Sequence, residues 1–312
     1  MKVYILSDLE GVACVFSRRE GYVNAMEYGT MELVAICEKL LSNGVDDILI
    51  NCFHQLEFHK FPKEVRFFHS EPSHDFFTPC LDENFDFAMI TGMHAMSGGP
   101  VDRGCWRHTI TPPPLTKAYS AIDEISLNGV AVGETGLFAA FAGTKNVPVV
   151  YLSGDQWACE EAEALIPGIT TCAVKKGMSF YSALSLHPAE AASRSAEAAL
   201  QALSNYKNVK PYIIDGDLNV RVRFGHAHRA SDSMISIKNA RRIDEYTIEI
   251  NYNSMVEFMD DIGCMRAPED ALHQRDCGFE RVTGIMTRYG SEPYLAHPGF
   301  DYPRQKDFFS AE

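Results

Sequence analysis

The chain opens with Met1-Lys2-Val3-Tyr4-Ile5-Leu6-Ser7-Asp8-Leu9-Glu10-Gly11. The run Val3–Leu6 is apolar and stops at polar residues, as a buried strand does where it meets a loop. Apolar runs at 47–51, 87–91 and 147–152 stop in the same way. Segments with helical spacing of apolar residues lie between and after these runs, notably at 26–41 and 189–203. This alternation predicts an α/β fold whose largely parallel sheet is flanked by helices.

The pattern of apolar and polar residues changes after about residue 204. Residues 219–224 and 246–252 alternate strictly between apolar and polar side chains, as half-exposed strands do. We therefore divide the chain into an α/β catalytic domain at 1–204, a smaller β-rich C-terminal subdomain at 205–270, and an irregular tail at 271–312. Within the first domain, Asn128-Gly129 between two apolar runs predicts a β-hairpin.

The net charge and the cysteine content limit the kinds of binding partner and the cellular compartment to be expected. The 312 residues carry a formal net charge of -14, which argues against nucleic acid or an anionic membrane surface as a partner. The nine cysteines form no C-x-x-C pair, and this predicts free thiols in a reducing compartment. The opening apolar run is too short for a signal peptide, and we expect a cytoplasmic protein.

Side chains of the types that bind metal ions recur just beyond the ends of the predicted strands. Asp8 and Glu10 follow the first strand, His54 the second and His94 the third, while Glu134 follows the hairpin. Because parallel strands end at one edge of a sheet, these side chains are expected to converge. Carboxylates and imidazoles together suit a pair of divalent ions, zinc first and manganese or cobalt as alternatives.

Each of these residues also has a purely structural explanation. Asp8 could cap a turn, Glu10 could be a surface residue, and a histidine at a strand end could be an ordinary polar group. The repetition of one structural position favours a metal site, but on that ground alone both explanations stay open.

Four short motifs strengthen the metal hypothesis, since they occur together and in order. The opening Ser7–Gly11 resembles the opening signature of the zinc-dependent D-aminopeptidases, a family that includes the enzyme of the bacillar dipeptide-transport operon. Asn51-Cys52-Phe53-His54, Gly92-Met93-His94-Ala95 and Gly133-Glu134-Thr135-Gly136-Leu137 resemble its later motifs. The likeness covers roughly residues 1–200 closely and 205–265 loosely.

The resemblance implies an activity and roles for single residues. It implies a metallo-aminopeptidase that removes N-terminal, D-configured residues from short peptides or amino-acid amides, in a ring-shaped homo-oligomer. Two zinc ions would be bound with Asp8 as the bridging carboxylate, and His108 would be a catalytic group. The implied metal ligands are Asp8, Glu10, His54, His94 and Glu134.

Several details stay open from the sequence. His108 could be a nucleophile, although we favour an acid/base or oxyanion role. Asp155 and Asn51 are candidates to fix the second ring nitrogens of the ligand histidines. The pairs His226/His228 and His69/His74 are interpreted as surface-loop residues.

The sequence also departs from the family pattern. Cys52 and Gln156 each stand where the family has Asp, and Phe138 where it has Asn, which puts substrate choice in question. A di-metal phosphoesterase is the alternative enzyme class, with Arg103 and Arg107 as its only clustered phosphate-binding candidates. A non-catalytic metal-binding relative is the third hypothesis.

Overall fold

The computed structural model describes residues 1–16, 18–69, 78–100, 102–110 and 122–266. Its strands are β1 (Lys2–Ser7), β2 (Asp47–Cys52), β3 (Val65–His69), β4 (Phe87–Met93), β5 (Ile122–Leu127), β6 (Val130–Val132), β7 (Val149–Asp155), β8 (Thr170–Ser179), β9 (Ser182–Ser185), β10 (Leu218–Phe224), β11 (Arg241–Arg242) and β12 (Thr247–Tyr252). Its helices are α1 (Arg18–Leu41), α2 (Glu134–Thr144), α3 (Gln156–Leu165), α4 (Pro188–Asn205), α5 (Ala227–Ser236) and α6 (Met255–Arg266), with short 3-10 turns at Phe58–Lys60 and Tyr206–Asn208.

Seven strands form the larger sheet, in the order β3-β2-β1-β4-β7-β8-β9. All neighbours are parallel except β8 and β9. Every residue of β4 and β7 is buried, which explains why these strands are apolar runs without alternation. The predicted α/β fold with a largely parallel sheet is confirmed.

The strand order reverses at β1. The chain places β2 and β3 on one side of β1 and then returns to place β4 on its other side. Such a reversal opens a crevice at the carboxyl ends of the two strands that flank it, because their following connections run in opposite directions. The crevice between β1 and β4 is therefore where this fold favours a binding site.

Helices cover both faces of the sheet. Tyr4 of β1 stacks on Phe138 of α2, with ring centroids 5.9 Å apart. The register places Tyr151 of β7 on the same face as Ile5, opposite Tyr4, and the Tyr151 hydroxyl donates to the Ser195 carbonyl of α4. Helix α4 packs in turn on α1. Among the described residues, no helix is both long and apolar enough to cross a membrane.

A second sheet is antiparallel, in the order β11-β12-β10-β5-β6. The predicted hairpin forms β5 and β6 around Asn128 (φ 49°) and Gly129 (φ 82°), the left-handed pair that an Asn-Gly turn favours. Strand β5 pairs with β10, so the sheet draws strands from both sides of residue 204. The domain division at 204 stays a prediction, and the tail at 271–312 lies outside the described residues.

A buried carboxyl group joins three elements beneath the larger sheet. Glu32 of α1 accepts hydrogen bonds from the hydroxyls of Ser153 on β7 (2.5 Å) and Ser195 on α4 (2.9 Å). Its second oxygen has no hydrogen-bond partner among the described residues. Burial raises the pKa of Glu32 above its usual value, and the two hydroxyls offset only part of that effect. Ionisation of Glu32 is therefore less favourable in the folded protein than in the unfolded chain.

We expect Glu32→Gln to become relatively more stabilising as the pH rises. A folded-state pKa above the unfolded one contributes stability at low pH that is lost as the pH rises from the unfolded pKa through the folded one, and glutamine does not titrate. The gain over wild type should grow by at most about 1.4 kcal/mol per pH unit, the limit for one proton. Urea unfolding at pH 5 and pH 8 measures it, with Glu38→Gln on the exposed side of α1 as the control. A gain that is the same at both values would contradict the prediction.

Candidate metal centre

Four of the predicted residues lie at the carboxyl edge of the larger sheet. Asp8 and Glu10 follow β1, His54 follows β2, and His94 follows β4. The Asp8 N–H donates to the Thr91 carbonyl of β4 at 2.9 Å, so the connection after β1 starts by running alongside β4. The group therefore sits at the crevice where the strand order reverses.

The other two residues come from the far side of this crevice. Glu134 is the first residue of α2 and follows the hairpin of the second sheet, so it reaches the edge from a helix N-terminus. His108 lies in the connection between β4 and β5. Its N–H donates to the Ala95 carbonyl at 3.2 Å, and this bond draws His108 back to the end of β4.

Asp8, Glu10 and His54 form one half of the cluster. His54 Nε2 lies 3.1 Å from Asp8 Oδ1 and 2.9 Å from Glu10 Oε2. The two acidic side chains are buried, and 23% of the His54 side chain is exposed. One donor atom from each of the three lies within 4.8 Å of the others, close enough for all three to hold a single ion.

His94, His108 and Glu134 form the other half. Glu134 Oε1 lies 3.6 Å from His94 Nε2 and 4.0 Å from His108 Nε2, and the two imidazoles stack with centroids 3.8 Å apart. These three also offer ligand atoms within 4.8 Å of one another. Asp8 joins the halves, because its Oδ1 faces His54 while its Oδ2 lies 3.4 Å from His94 Nε2.

The main chain fixes which ring nitrogens face the cluster. His94 Nδ1 lies 2.9 Å from the Ala95 carbonyl, and His108 Nδ1 lies 2.9 Å from the Trp106 carbonyl. A carbonyl oxygen can only accept, so both Nδ1 atoms carry a proton. In each neutral ring, Nε2 then carries an unshared lone pair that faces carboxylate oxygens. His94 Nε2 has no hydrogen-bond partner among the described atoms. The lone pairs of these nitrogen and oxygen atoms repel one another, whereas a cation placed between them would attract both.

Burial and mutual charge shift the pKa values in both directions. Burial, with the charge of Glu10 added, raises the pKa of Asp8 to about 7. Burial alone lowers the pKa of His94, but the negative charges of Glu134 and Asp8 outweigh it and raise that pKa to about 10. Burial and the neighbouring His94 lower the pKa of His108 to about 4. Protons and metal ions compete for such groups, so cation binding here would release protons.

Further hydrogen bonds hold the loops of the second half. The Ile110 N–H donates to Glu134 Oε1 at 2.6 Å, and the Ser97 hydroxyl donates to Thr109 Oγ1 at 3.0 Å. Glu161 of α3 accepts from the Gly133 N–H at 2.6 Å and from the Met96 main chain. Burial raises the pKa of Glu161 to about 7. Glu134 and the loop after His94 are thereby tied to α3.

The prediction that Asp155 fixes a ligand histidine is wrong for His94, because the Ala95 carbonyl does so. Asp155, the fully buried last residue of β7, instead accepts from the main-chain N–H groups of Cys105, Trp157 and Gly177. Both oxygens of this carboxylate therefore bind main-chain amides. Its function is to anchor the loop that leads to His108.

Comparisons with known proteins identify the family of this chain. A family model described as D-aminopeptidase matches residues 1–263. The chain belongs to the D-aminopeptidase family. A D-aminopeptidase of Bacillus subtilis (strain 168) is 30% identical over 221 residues, which cover 68% of this chain and 77% of that protein. A solved structure, the Zn-dependent D-aminopeptidase DppA from Bacillus subtilis, a self-compartmentalizing protease, matches with a TM-score of 0.77 at 25% identity, covering 85% of this chain and 96% of that one.

The three departures from the D-aminopeptidase pattern make contacts outside the cluster. The Cys52 thiol donates to the Phe68 carbonyl, and burial raises its pKa to about 12. Phe138 belongs to the core against Tyr4, while Gln156 donates to Glu160 along α3. None of these contacts involves a residue of the cluster.

Two further histidines, His226 and His228, lie at the start of α5. The rings of His226 and His228 stack on each other at 5.4 Å where α5 begins. His69 is the last residue of β3 and pairs with Cys52, so its interpretation as a loop residue is wrong. His74 lies outside the described residues. In the part of the chain that the structure describes, only the two halves above group three potential ligands.

Sequence reasoning did not single out Glu161 or Lys175, another buried charge beside the centre. Both bind main-chain groups, which no spacing pattern reveals. Lys175 lies on β8, a strand rich in polar residues that no apolar run marks.

We expect Gly11→Ala to destabilise the fold and to lower metal content. A Cβ at Gly11 would lie 1.9 Å from the Met93 carbonyl oxygen, so the connection carrying Asp8 and Glu10 would have to move away from β4. Overpacking of this kind costs about 1–3 kcal/mol. Urea unfolding and elemental analysis measure the two effects. Gly99→Ala is the matched control, since a Cβ there meets nothing within 4 Å; equal behaviour of the two variants would refute the steric argument.

Proposed function

We propose that this protein is a zinc-dependent aminopeptidase that removes N-terminal D-amino acids from short peptides or amino-acid amides. The observation that carries the proposal is the buried cluster of three carboxylates and three imidazoles at the reversal of strand order. Family membership and the zinc dependence of DppA support it.

We propose two metal ions, with Asp8 shared between them. Asp8, Glu10 and His54 would hold one ion, and His94 and Glu134 would hold the other together with the second oxygen of Asp8. The donor set fits zinc, because the Nδ1 bonds of His94 leave Nε2 as a lone pair and no thiolate is present in either half. Manganese or cobalt could occupy a site with these ligands.

Two zinc ions, when bound, lower the pKa of a coordinated water and polarise the scissile carbonyl group. The chain itself supplies orientation and a dry setting. Asp8, Glu10, His94 and Glu134 are buried, while the partly exposed His54 lies on the side from which a peptide could approach. The three carboxylates of the cluster also attract the free ammonium group of a peptide N-terminus.

We propose that His108 accepts a proton during the reaction. Its Nδ1–H is committed to the Trp106 carbonyl, so Nε2 is available as an acceptor and has no proton to donate to an oxyanion. The proton taken from the attacking water then sits on Nε2, and as the scissile C–N bond breaks this Nε2–H can pass it to the leaving amine, which returns His108 to its neutral form. The geometry thus favours the acid/base role over the oxyanion role, and no covalent step on His108 is required.

The two alternative functions have weaker support. A phosphoesterase needs a clamp for phosphate, but Arg107 donates to the carbonyls of Pro100 and Arg103, and the Arg103 guanidinium lies 4.5 Å from the Trp157 ring. A non-catalytic relative was suggested by three departures from the family pattern, and their described contacts lie outside the cluster.

We further propose that the protein forms a ring-shaped homo-oligomer in the cytoplasm. DppA is described as a self-compartmentalizing protease, which supports an assembly with enclosed active sites. None of the cysteines whose side chains the structure describes belongs to a disulfide, which is compatible with a reducing compartment.

We expect the purified protein to contain two zinc ions per chain and to hydrolyse D-aminoacyl amides faster than their L-enantiomers. Asp8→Ala should lose metal and turnover together, because Asp8 faces both halves of the cluster. Elemental analysis and a panel of D- and L-aminoacyl amides measure this, with p-nitrophenyl phosphate added for the alternative. Exposed Glu83→Ala is the control. Metal-loaded protein that hydrolyses only the phosphate ester would overturn the proposal.

We expect His108→Ala to keep both zinc ions and to lower kcat by about two decades or more, the usual effect of losing an acid/base group. His228→Ala, an exposed histidine of α5, should match wild type. Zinc content and steady-state kinetics are the measurements. Loss of one ion from the His108 variant would assign His108 as a metal ligand instead.

A further inference from the structure

Lys175 is a charged residue in the interior of the larger sheet. It lies on β8, and only 3% of its surface is exposed. Its ammonium donates to the carbonyl oxygen of Glu10 and, at 2.7 Å, to that of Val15. A buried ammonium is unfavourable unless its donors find acceptors, and here both acceptors belong to the connection after β1. Lys175 therefore binds two points of the segment that carries the acidic residues.

This segment runs across the carboxyl edge of the sheet. It begins beside β4, where the Gly11 N–H donates to the Gly92 carbonyl at 2.6 Å. It then reaches β9, where the Cys14 N–H donates to the Ser185 hydroxyl at 2.7 Å. The two contacts of Lys175 lie along this path, at Glu10 and at Val15. The lysine thus holds the segment down at both ends of its crossing.

The peptide unit between Glu10 and Gly11 is held on both sides. Its carbonyl oxygen accepts from Lys175, and its N–H donates to Gly92. A peptide unit is planar, so fixing both ends of this one sets the direction in which the Glu10 Cα presents its side chain. That side chain reaches His54 Nε2 at 2.9 Å. The position of the Glu10 carboxylate therefore depends on a hydrogen bond from β8.

We propose that Lys175 is a positioning residue for the half of the metal centre formed by Asp8, Glu10 and His54. The inference rests on the zinc-dependent function proposed above. Lys175 acts through the main chain of Glu10 and touches neither substrate nor metal. Its effect is to fix the position of the Glu10 carboxylate. Groups that hold metal ligands in place typically contribute 10- to 100-fold to metal affinity.

Charge alone predicts the opposite effect of removing this lysine. A buried cation close to the carboxylates repels a divalent ion, so its loss would tighten zinc binding if Lys175 acted only through its charge. If Lys175 acts by positioning, its loss lets the Glu10–Gly11 peptide turn and zinc binding weakens. The sign of the change in zinc affinity therefore separates the two roles.

The test is zinc titration of chelator-stripped, full-length protein against a competing chromophoric chelator. We expect wild type to bind two ions and Lys175→Met to bind one of them 10- to 100-fold more weakly, with kcat recovering when zinc is in excess. Lys176→Met is the matched control, because the next residue on β8 directs its ammonium over the Trp157 ring at 5.5 Å. It should bind both ions as wild type does.

Each other outcome has a definite meaning. A folded Lys175→Met protein, checked by circular dichroism, that binds both ions with unchanged or higher affinity would overturn the positioning role. If this variant does not fold, Lys175→Gln replaces it, since its amide is uncharged but can still donate to one of the two carbonyls. Unchanged or weaker zinc binding by Lys175→Gln supports the positioning role, and tighter binding overturns it. Wild-type protein that takes up no zinc would overturn the proposed function itself, which is a different failure.

Discussion

The close approach of two stretches of main chain makes the centre possible. The connection after β1 touches the end of β4 through hydrogen bonds from Asp8 to Thr91 and from Gly11 to Gly92. A side chain at Gly11 would prevent this contact. Because the contact exists, the two oxygens of Asp8 lie between His54, which follows β2, and His94, which follows β4. One carboxylate can then serve both halves of the cluster.

The fold could be predicted where burial leaves a trace in the sequence. Strands β1, β2, β4 and β7 are buried on both faces, so their sequences are apolar runs that predict a strand. Apolar runs report burial but do not identify neighbours, so the strand order could not be derived. Strands β8 and β9 were missed, since they are rich in polar residues and β9 is an edge strand. The pairing of β5 with β10 joins distant segments, which no local pattern records.

The site was predictable to the extent that its residues follow the ends of elements. Asp8, His54 and His94 were found because parallel strands end at one edge of a sheet. His108 was found by family resemblance alone, since its place near Glu134 depends on the course of a long connection. Lys175 and Asp155 were beyond prediction in their actual functions, because they bind main-chain groups whose positions exist only in the folded chain.

The charged residues around the centre do not neutralise the negative charge of its carboxylates, so that charge can attract cations. The buried ammonium of Lys175 is opposed by nearby Asp155, so this pair contributes little net charge. Burial and the charge of Glu10 hold the pKa of Asp8 near 7, so this carboxyl group is harder to ionise here than in water. The free energy of folding must cover that cost whenever only protons neutralise the cluster. A divalent ion interacts with several carboxylates at once, so its binding removes the cost and stabilises the fold. This explains why anchors such as Glu161 surround the cluster: they hold the ligands together against their mutual repulsion.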